Sequence, residues 1–295
     1  MPLPEGEPRA FEALPLPPVA AAPRLSRAPG VVLHWIDAVD ETGTRQRLAI
    51  PAERPLTVFV DKREIVTLMT LGAAPELLVL GWLLNQRLVA RLDEIEAISV
   101  DWDVGAAAVK TREGISGIEA RTARRTVTTG CGQGTVFGDQ MADVERLRLG
   151  AGTTLDAPTL LAMLDRMRHR NSVHRAAGSV HGCALFRGPE LLAACEDVGR
   201  HNAIDTLAGW MATRGVAGGD KLFYTTGRLT SEMVMKAAQM GISVVVSRNG
   251  ITAMGHELAE RLGMTLVGRA ANRRFLCYCG FQRFVPAPAV VPAHT

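Results

Sequence analysis

The chain has 295 residues, of which 47% are hydrophobic, so it is long enough to bury a substantial core as one large domain or two smaller ones. Its formal net charge of +3 is too small to predict nucleic-acid binding. Its five cysteines are an odd number, which argues against a disulfide framework and for reduced thiols, and we therefore expect a cytoplasmic protein.

Neither end of the chain predicts a targeting or membrane segment. The N-terminal stretch is interrupted by prolines and acidic residues, unlike a secretory signal peptide. The longest apolar run, at 77–84, is far shorter than the roughly 18 residues that a membrane-spanning helix needs. We therefore expect no membrane span.

The first half of the chain predicts a loose arm followed by an α+β portion. Residues 1–29 are rich in proline and predict a disordered arm. Residues 30–152 are predicted to form the N-terminal α+β portion. Its predicted elements are strands at 56–60 and 64–71, a helix at 75–88 that opens with Pro75, and strands at 95–103 and 105–110.

Residues 153–285 alternate short apolar runs with helical patterns, which predicts a sheet covered by helices. The predicted helices are 157–170, 200–213, 229–240 and 252–262. The predicted strands are 179–186 and 190–198, joined as a hairpin, then 221–225, 242–247, 264–268 and 275–279. Residues 286–295 predict a second loose tail. The predicted fold class is α/β.

Cys131 stands out because it lies in a loop, "TTGCGQG" at 128–134, in which almost none of the neighbouring residues is apolar. Gly130 and Gly132 let the flanking backbone N–H groups turn towards one point, as in an anion-binding nest. Arg124 and Arg125, a few residues earlier, could stabilise a thiolate and lower the pKa of the thiol. This pattern favours a reactive cysteine, and a loop cysteine without a role is the alternative.

The stretch "CEDVGRHNAIDTLAGWM" at 195–211 crowds polar residues into a strand-to-helix turn. Arg200 and His201 lie there, at the carboxyl end of a predicted strand, where α/β sheets usually hold ligands. A capped helix with a solvated polar start is the plainer interpretation.

Two further strand ends carry arginines. "TTGRLTSEM" at 225–233 brings Arg228 to the start of a predicted helix, although it lacks the ending of a phosphate-binding P-loop. "GRAANRRFLCYC" at 268–279 contains arginines that could clamp phosphates, and an exposed basic turn is an equally good interpretation.

A zinc site is the competing interpretation of the His and Cys residues. His181 and Cys183 form an H-x-C pair and Cys277 and Cys279 form a C-x-C pair. However, Cys183 falls on a predicted buried strand, and the chain contains no C-x-x-C. We expect no bound metal.

Several segments resemble the FdhD family of sulfur carriers, which are needed to make active formate dehydrogenase. The resemblance rests on 51–89, "TGCG" at 129–132, "EDVGRHNAIDTLAG" at 196–209, 231–268, and Tyr278 with Gln282 and Arg283. It covers most of 50–284, and the 196–209 stretch is its most specific part.

The resemblance implies a function and a fold. Such proteins accept sulfur from a cysteine desulfurase as a persulfide on a loop cysteine, which corresponds here to Cys131. They pass it to the bis(molybdopterin guanine dinucleotide) molybdenum cofactor before that cofactor enters formate dehydrogenase. The resemblance also implies a homodimer, binding of guanine nucleotides, and a three-layer C-terminal part like cytidine deaminase but without its zinc.

The resemblance places the cofactor against the stretch after "TLVG". Its residues here are Arg269, Ala270, Ala271, Asn272, Arg273 and Arg274. A cofactor tagged with two nucleotides needs several arginines, and the strand ends add Arg200 and Arg228, with His201 beside the first of these.

The chain departs from the family pattern at two positions. The family usually has C-x-x-C in the loop, where this chain has Gly134 in the second position, and a Ser or Thr where this chain has Cys279. The missing thiol keeps a rival open, which is a chaperone that binds and delivers the guanine-nucleotide cofactor without moving sulfur.

Overall fold

The computed structural model of the chain describes residues 7–115, 147–150 and 153–286. The strands are β1 (Phe11–Ala13), β2 (Arg24–Leu25), β3 (Leu33–Val39), β4 (Arg45–Pro51), β5 (Arg54–Val60), β6 (Arg63–Thr70), β7 (Ile95–Asp101), β8 (Ala106–Thr111), β9 (Leu155–Asp156), β10 (His181–Arg187), β11 (Glu190–Asp197), β12 (Leu222–Thr225), β13 (Val244–Ser247), β14 (Thr265–Ala271), β15 (Arg274–Cys279) and β16 (Phe284–Val285). The helices are α1 (Pro75–Asn85), α2 (Ala157–His169), α3 (Val173–Ala177), α4 (Arg200–Arg214), α5 (Ser231–Gln239) and α6 (Ala253–Arg261), with 3₁₀ turns at Leu92–Glu94 and Phe281–Arg283.

A seven-stranded mixed sheet forms the centre of the C-terminal part. Its order is β1-β11-β10-β12-β13-β14-β15, in which β12, β13 and β14 run parallel and the other pairs are antiparallel. The predicted elements from 157 to 279 all occur within a few residues of their predicted bounds. The α/β fold class is confirmed.

Helices cover both faces of this sheet. Leu160 and Met163 of α2 pack in one apolar cluster with alternate residues of β10 to β14. The opposite face packs against α4, α5 and α6 through residues such as Leu207, Met233 and Leu258. Because both faces are buried, these strands are short continuous apolar runs rather than alternating ones.

The N-terminal sheet has five strands in the order β2-β7-β8-β5-β6. Helix α1 packs on this sheet through residues such as Leu78, Val79 and Leu83. Its other side crosses α4 where Gly81 meets Gly209, and a Cβ on either glycine would lie within 2.0 Å of a carbonyl oxygen of the facing helix. This explains why α1 is apolar around most of its circumference.

The prediction of a disordered arm over 1–29 is wrong for the part that the structure describes, which begins at Glu7. β1 pairs antiparallel with β11, and β2 pairs parallel with β7, so the arm extends both sheets. The buried Arg170 contacts Glu12 (Nε–Oε1 3.0 Å) and the carbonyl oxygen of Arg9 (Nη2–O 2.7 Å). Proline disfavours helix but is compatible with an extended edge segment, so proline content alone did not indicate disorder here.

The sequence also missed the β3–β4 hairpin, α3, and the short pair β9–β16. The division of the chain at residue 152 remains a prediction. β1 does not follow this division, since it comes before the N-terminal sheet in the chain but belongs to the C-terminal sheet. Within the described ranges, no helix has the length and apolar character needed to cross a membrane. The predicted tail beyond 286 lies outside the described residues.

Candidate functional site

A pocket of about 520 Å³ opens at the edge of the seven-stranded sheet where β12, β13 and β14 end. Thr226 follows β12 directly, Arg248 follows β13, and Ala271 ends β14. Helices α2 and α3 close the pocket from one face of the sheet. The carboxyl ends of parallel strands are the usual place for ligands in open α/β sheets. The lining is Leu164, Met167, Arg168, His169, Ser172, His174, Arg175, Gly182, Glu196, Tyr224, Thr226, Arg248, Ala270, Ala271 and Asn272.

The lining is mainly cationic. It carries three arginines, Arg168, Arg175 and Arg248, against a single carboxylate, Glu196. That carboxylate is buried beside Arg170, with Nη1 and Oε1 3.3 Å apart, and it accepts a hydrogen bond from His174 N. Burial raises the pKa of Glu196, and the neighbouring Arg170 opposes this shift. The pocket therefore favours an anionic ligand such as a phosphate.

The turn between β14 and β15 contributes part of this lining. Ala270 is buried, and Ala271 and Asn272 face the pocket, where Asn272 Oδ1 accepts a hydrogen bond from Arg168 Nη2 at 3.1 Å. Arg269 and Asn272 adopt left-handed backbone conformations, with φ of 51° and 55°, so that the strand bulges here. The bulge brings three consecutive residues of the predicted stretch, Ala270, Ala271 and Asn272, to the pocket and leaves the arginines on either side of them outside it.

The other predicted site residues do not line this pocket. Arg269, Arg273 and Arg274 are exposed around the same turn. Arg200 and His201 are buried in the first turn of α4, on the opposite face of the sheet, and Arg228 is exposed in the loop after β12. The sequence placed all of these residues in one cofactor site. The structure separates them into one group around the turn between β14 and β15 and another at the start of α4 and in the loop after β12.

Much of the 196–209 stretch joins the two sheets. Asp197 accepts hydrogen bonds from Thr70 Oγ1 (2.5 Å) and Leu71 N (3.1 Å) at the end of β6. Asn202 Nδ2 donates to the carbonyl oxygen of Met69 at 2.7 Å and to Asp197 Oδ1 at 2.8 Å. These residues therefore position the N-terminal sheet. The plainer interpretation, a capped helix with a solvated polar start, is wrong for them, because both side chains are buried and the helix has no side-chain cap.

Asp205 has a comparable role between helices. It accepts a hydrogen bond from Asn85 Nδ2 of α1 at 2.7 Å and lies 2.7 Å from Lys236 Nζ of α5. All three side chains are buried. The result is a polar contact among α1, α4 and α5 inside an apolar interface.

The cationic residues that α2 and α3 contribute to the pocket were not predicted from the sequence. The segment 166–175 contains four arginines and two histidines, of which Arg168, His169, His174 and Arg175 line the pocket. This basic run was a usable signal, although its approach to the strand ends is visible only in the folded chain.

Cys131, with Arg124 and Arg125, lies outside the described residues. Three of the other four cysteines are poor nucleophiles: burial raises the thiol pKa of Cys183 to about 12, that of Cys195 well above its ordinary value, and that of Cys279 to about 11. Cys277 is partly buried, which also raises its pKa. Within the described ranges, no three His, Cys, Asp or Glu side chains are grouped so that they could hold a metal ion.

The fold and the pocket together define a mixed α/β protein with a cationic pocket at the ends of parallel strands. Residues 51–285 match the FdhD/NarQ family, and the chain belongs to this family.

Named relatives and a solved structure agree with this assignment. The sulfur carrier protein FdhD of Geobacillus kaustophilus is 31% identical over 238 residues, which cover 80% of this chain and 90% of that protein. The protein of the same name from Bacillus licheniformis is 32% identical over 240 residues, 81% of this chain and 91% of its own length. A crystal structure described as a formate dehydrogenase accessory protein from Desulfotalea psychrophila is 26% identical, with a TM-score of 0.70 over 86% of this chain and 99% of that one.

Proposed function

We propose that this chain is a sulfur carrier that serves formate dehydrogenase in the cytoplasm. Cys131 would accept sulfur from a cysteine desulfurase and transfer it to the bis(molybdopterin guanine dinucleotide) molybdenum cofactor, which is the substrate. The observation that carries the proposal is the cationic pocket lined by Ala270, Ala271 and Asn272, found in a chain whose relatives are named sulfur carriers.

The pocket size supports a nucleotide end of the cofactor as the ligand. Its volume of about 520 Å³ lies within the usual range of about 300–1,000 Å³ for small-molecule sites. One such pocket suits one nucleotide. A cofactor with two guanine nucleotides needs two pockets, which a homodimer would supply.

The cations around the pocket can be given separate roles in this proposal. Arg168, Arg175 and Arg248 line the pocket and would neutralise the phosphates through charge-assisted hydrogen bonds. Arg269, Arg273 and Arg274 are exposed beside it and would contact the parts of the ligand that extend outside. This explains how a chain of small net charge can bind a highly anionic ligand.

The sulfur step follows from thiol chemistry at Cys131. Its thiolate would attack the outer sulfur of the desulfurase persulfide, and the desulfurase cysteine would leave as a thiolate. The neighbouring Gly130 and Gly132, with Arg124 and Arg125, favour the thiolate form in the sequence-based interpretation. Among the other four cysteines, three are buried, which leaves Cys131 as the strongest candidate.

The test is transfer of labelled sulfur. The chain is incubated with a cysteine desulfurase and [³⁵S]cysteine, and non-reducing electrophoresis with peptide mapping follows the label. We expect label on the Cys131 peptide of the wild type and none on Cys131→Ala, while Cys277→Ser, which changes another accessible thiol, keeps the label.

The same experiment separates the rival function. Gly134, which stands where the family usually has a second cysteine, favours a chaperone that carries the cofactor without moving sulfur. Absence of label together with retained binding of guanosine diphosphate would support that chaperone. Loss of formate dehydrogenase activity in a deletion strain complemented with Cys131→Ala would support sulfur transfer.

A further inference from the structure

The floor of the pocket is a row of residues that crosses neighbouring strands of the seven-stranded sheet. Gly182 of β10 pairs with Glu196 of β11, and on its other side its carbonyl oxygen accepts a hydrogen bond from Thr226 N at 2.8 Å. Arg248 comes next, since its N donates to the carbonyl oxygen of Thr225 at 3.0 Å. The order across the sheet is therefore Glu196, Gly182, Thr226 and Arg248, and all four residues line the pocket.

The missing side chain of Gly182 leaves a slot between Glu196 and Thr226. A Cβ atom built on Gly182 would lie 3.7 Å from Glu196 Cγ on one side and 3.7 Å from Thr226 Cγ2 on the other. Carbon atoms in good van der Waals contact are about 3.5–4.0 Å apart. The slot therefore has room for a layer one atom thick, with a carbon wall on each side.

A slot of this width selects the shape of the group that enters it. A flat ring is one atom thick, so it can enter edge-on and contact both walls, whereas a tetrahedral phosphate group is too thick. Leu164 and Met167 line the same pocket from α2 and offer apolar surface to the part of the ring that projects from the slot. The slot thus suits the ring of a ligand rather than its phosphates.

The polar groups along the row give the pocket a direction. Glu196 Oε1 is 3.9 Å from the Cβ position of Gly182, so the slot end offers an acceptor, which suits a ring N–H and offers nothing to a phosphate. Arg248 lies two strands away from Gly182, about 10 Å at the usual spacing of strands. Its guanidinium is a donor for phosphate oxygens. The ring and the phosphates of one ligand therefore have separate places on the same floor.

We propose that the slot formed by Gly182, Glu196 and Thr226 holds the guanine base of the nucleotide, with the diphosphate directed towards Arg248. This inference rests on the proposed function, in which one nucleotide end of the cofactor occupies the pocket, and it adds the orientation of that end. Gly182 is then a specificity-determining residue, because its lack of a side chain admits the ring. The pterin of the same cofactor is a second flat ring, which the test distinguishes from guanine.

The test compares the affinities of the full chain for guanosine diphosphate and for inorganic diphosphate by isothermal titration calorimetry. Gly182→Ala fills the slot with one carbon atom at ordinary contact distances, so we expect it to fold as the wild type does. It should weaken binding of guanosine diphosphate at least about tenfold and leave binding of inorganic diphosphate unchanged. Arg248→Ala should weaken the binding of both.

The matched control is Gly219→Ala. A Cβ atom on this exposed glycine meets nothing within 4 Å, and the residue lies outside the pocket lining. We expect the control variant to bind both ligands as the wild type does.

A measurement on the wild type does not depend on how the variants fold. The ring current of a guanine base in the slot should shift the NMR signals of the Gly182 amide and the Thr226 methyl group when guanosine diphosphate is added. Inorganic diphosphate, which has no ring, should leave these two signals in place.

The outcomes separate this inference from the proposed function. Equal affinities of the wild type and Gly182→Ala for guanosine diphosphate, with no ring-current shift at Gly182, would overturn the inference and leave the proposed function standing. Weaker binding of neopterin but not of guanosine diphosphate in Gly182→Ala would overturn the assignment of the slot to guanine. A wild type that binds neither ligand would overturn the nucleotide pocket and this inference with it. Uptake of labelled sulfur by Cys131 affects none of these results.

Discussion

Gly81 of α1 lies so close to Asp205 of α4 that a Cβ atom on the glycine would be 1.7 Å from the carbonyl oxygen of Asp205. The facing glycine, Gly209, makes the equivalent approach to Leu77, at 2.0 Å. Neither contact can relax by a side-chain rotation, because the atoms opposite belong to helix backbone. The two halves of the protein are therefore joined through a helix crossing that only glycine permits.

We expect Gly81→Ala to destabilise the protein by about 3 kcal/mol or more, since α1 would have to move away from α4. Urea unfolding followed by tryptophan fluorescence measures this loss. The control is Gly250→Ala, where an added Cβ meets nothing within 4 Å and the change should stay within about 0.5 kcal/mol. Equal free energies of unfolding for Gly81→Ala and Gly250→Ala would contradict this prediction, because they would show that α1 can move away from α4 at little cost.

The buried pair of Lys236 and Asp205 predicts a strong asymmetry between single and double variants. Lys236→Met leaves Asp205 buried without its cation, so we expect a loss of about 3–5 kcal/mol in the free energy of unfolding. Adding Asp205→Asn removes the stranded charge and keeps the hydrogen-bonding partner of Asn85, so it should recover part of the loss. A double-mutant cycle measures the coupling, and purely additive losses would contradict it.

The pH dependence of stability should carry a contribution from His201. Burial, with Lys236 and Arg200 nearby, lowers the pKa of His201 to about 2, whereas the unfolded chain titrates near 6.5. Between these two pKa values the unfolded state therefore binds a proton at His201 that the folded state does not bind. This contribution is fully present above pH 6.5 and falls by about 1.4 kcal/mol per pH unit below it. The difference in unfolding free energy between the wild type and His201→Asn, measured from pH 7.5 to 5, should show this slope, and a constant difference would contradict it.

Nucleotide affinity should depend on the arginines of the pocket. Arg168→Ala and Arg248→Ala each remove a cation from the lining, and we expect each to weaken binding of guanosine diphosphate by roughly ten- to a hundredfold. Isothermal titration calorimetry measures the affinity. Arg187→Ala removes an exposed arginine outside the pocket and should leave it unchanged. A uniform small loss in all three variants would indicate only a general effect of charge.

The single cysteine of the 128–134 loop should make a persulfide on Cys131 persist. In a C-x-x-C loop the second thiol can attack the persulfide, form a disulfide and release sulfide. Gly134 cannot do this, and Cys183 and Cys279 are buried with raised pKa values. We therefore expect slower loss of the persulfide in the wild type than in Gly134→Cys, followed by mass spectrometry without added reductant. Equal rates would show that a neighbouring thiol does not control release.

The sequence by itself determined most of the elements from β5 onward, apart from the short elements α3, β9 and β16. Short apolar runs and helical periodicity are local properties, and burial on both faces of a sheet gives the same pattern wherever the strand lies. The elements that were predicted between 157 and 279 therefore occur within a few residues of their predicted bounds. The FdhD/NarQ resemblance was also visible in the residues themselves, because the 196–209 stretch is specific.

Only the tertiary structure decided how these residues are used. Asp197 and Asn202 look like ligand-binding residues in the sequence, yet their partners lie about 130 positions earlier, in β6. The basic run that ends α2 reaches the strand ends only when the sheet has formed, and Arg200 is separated from Asn272 because they lie on opposite faces of that sheet. These are long-range relations between backbone segments, and no local pattern of residues can specify them.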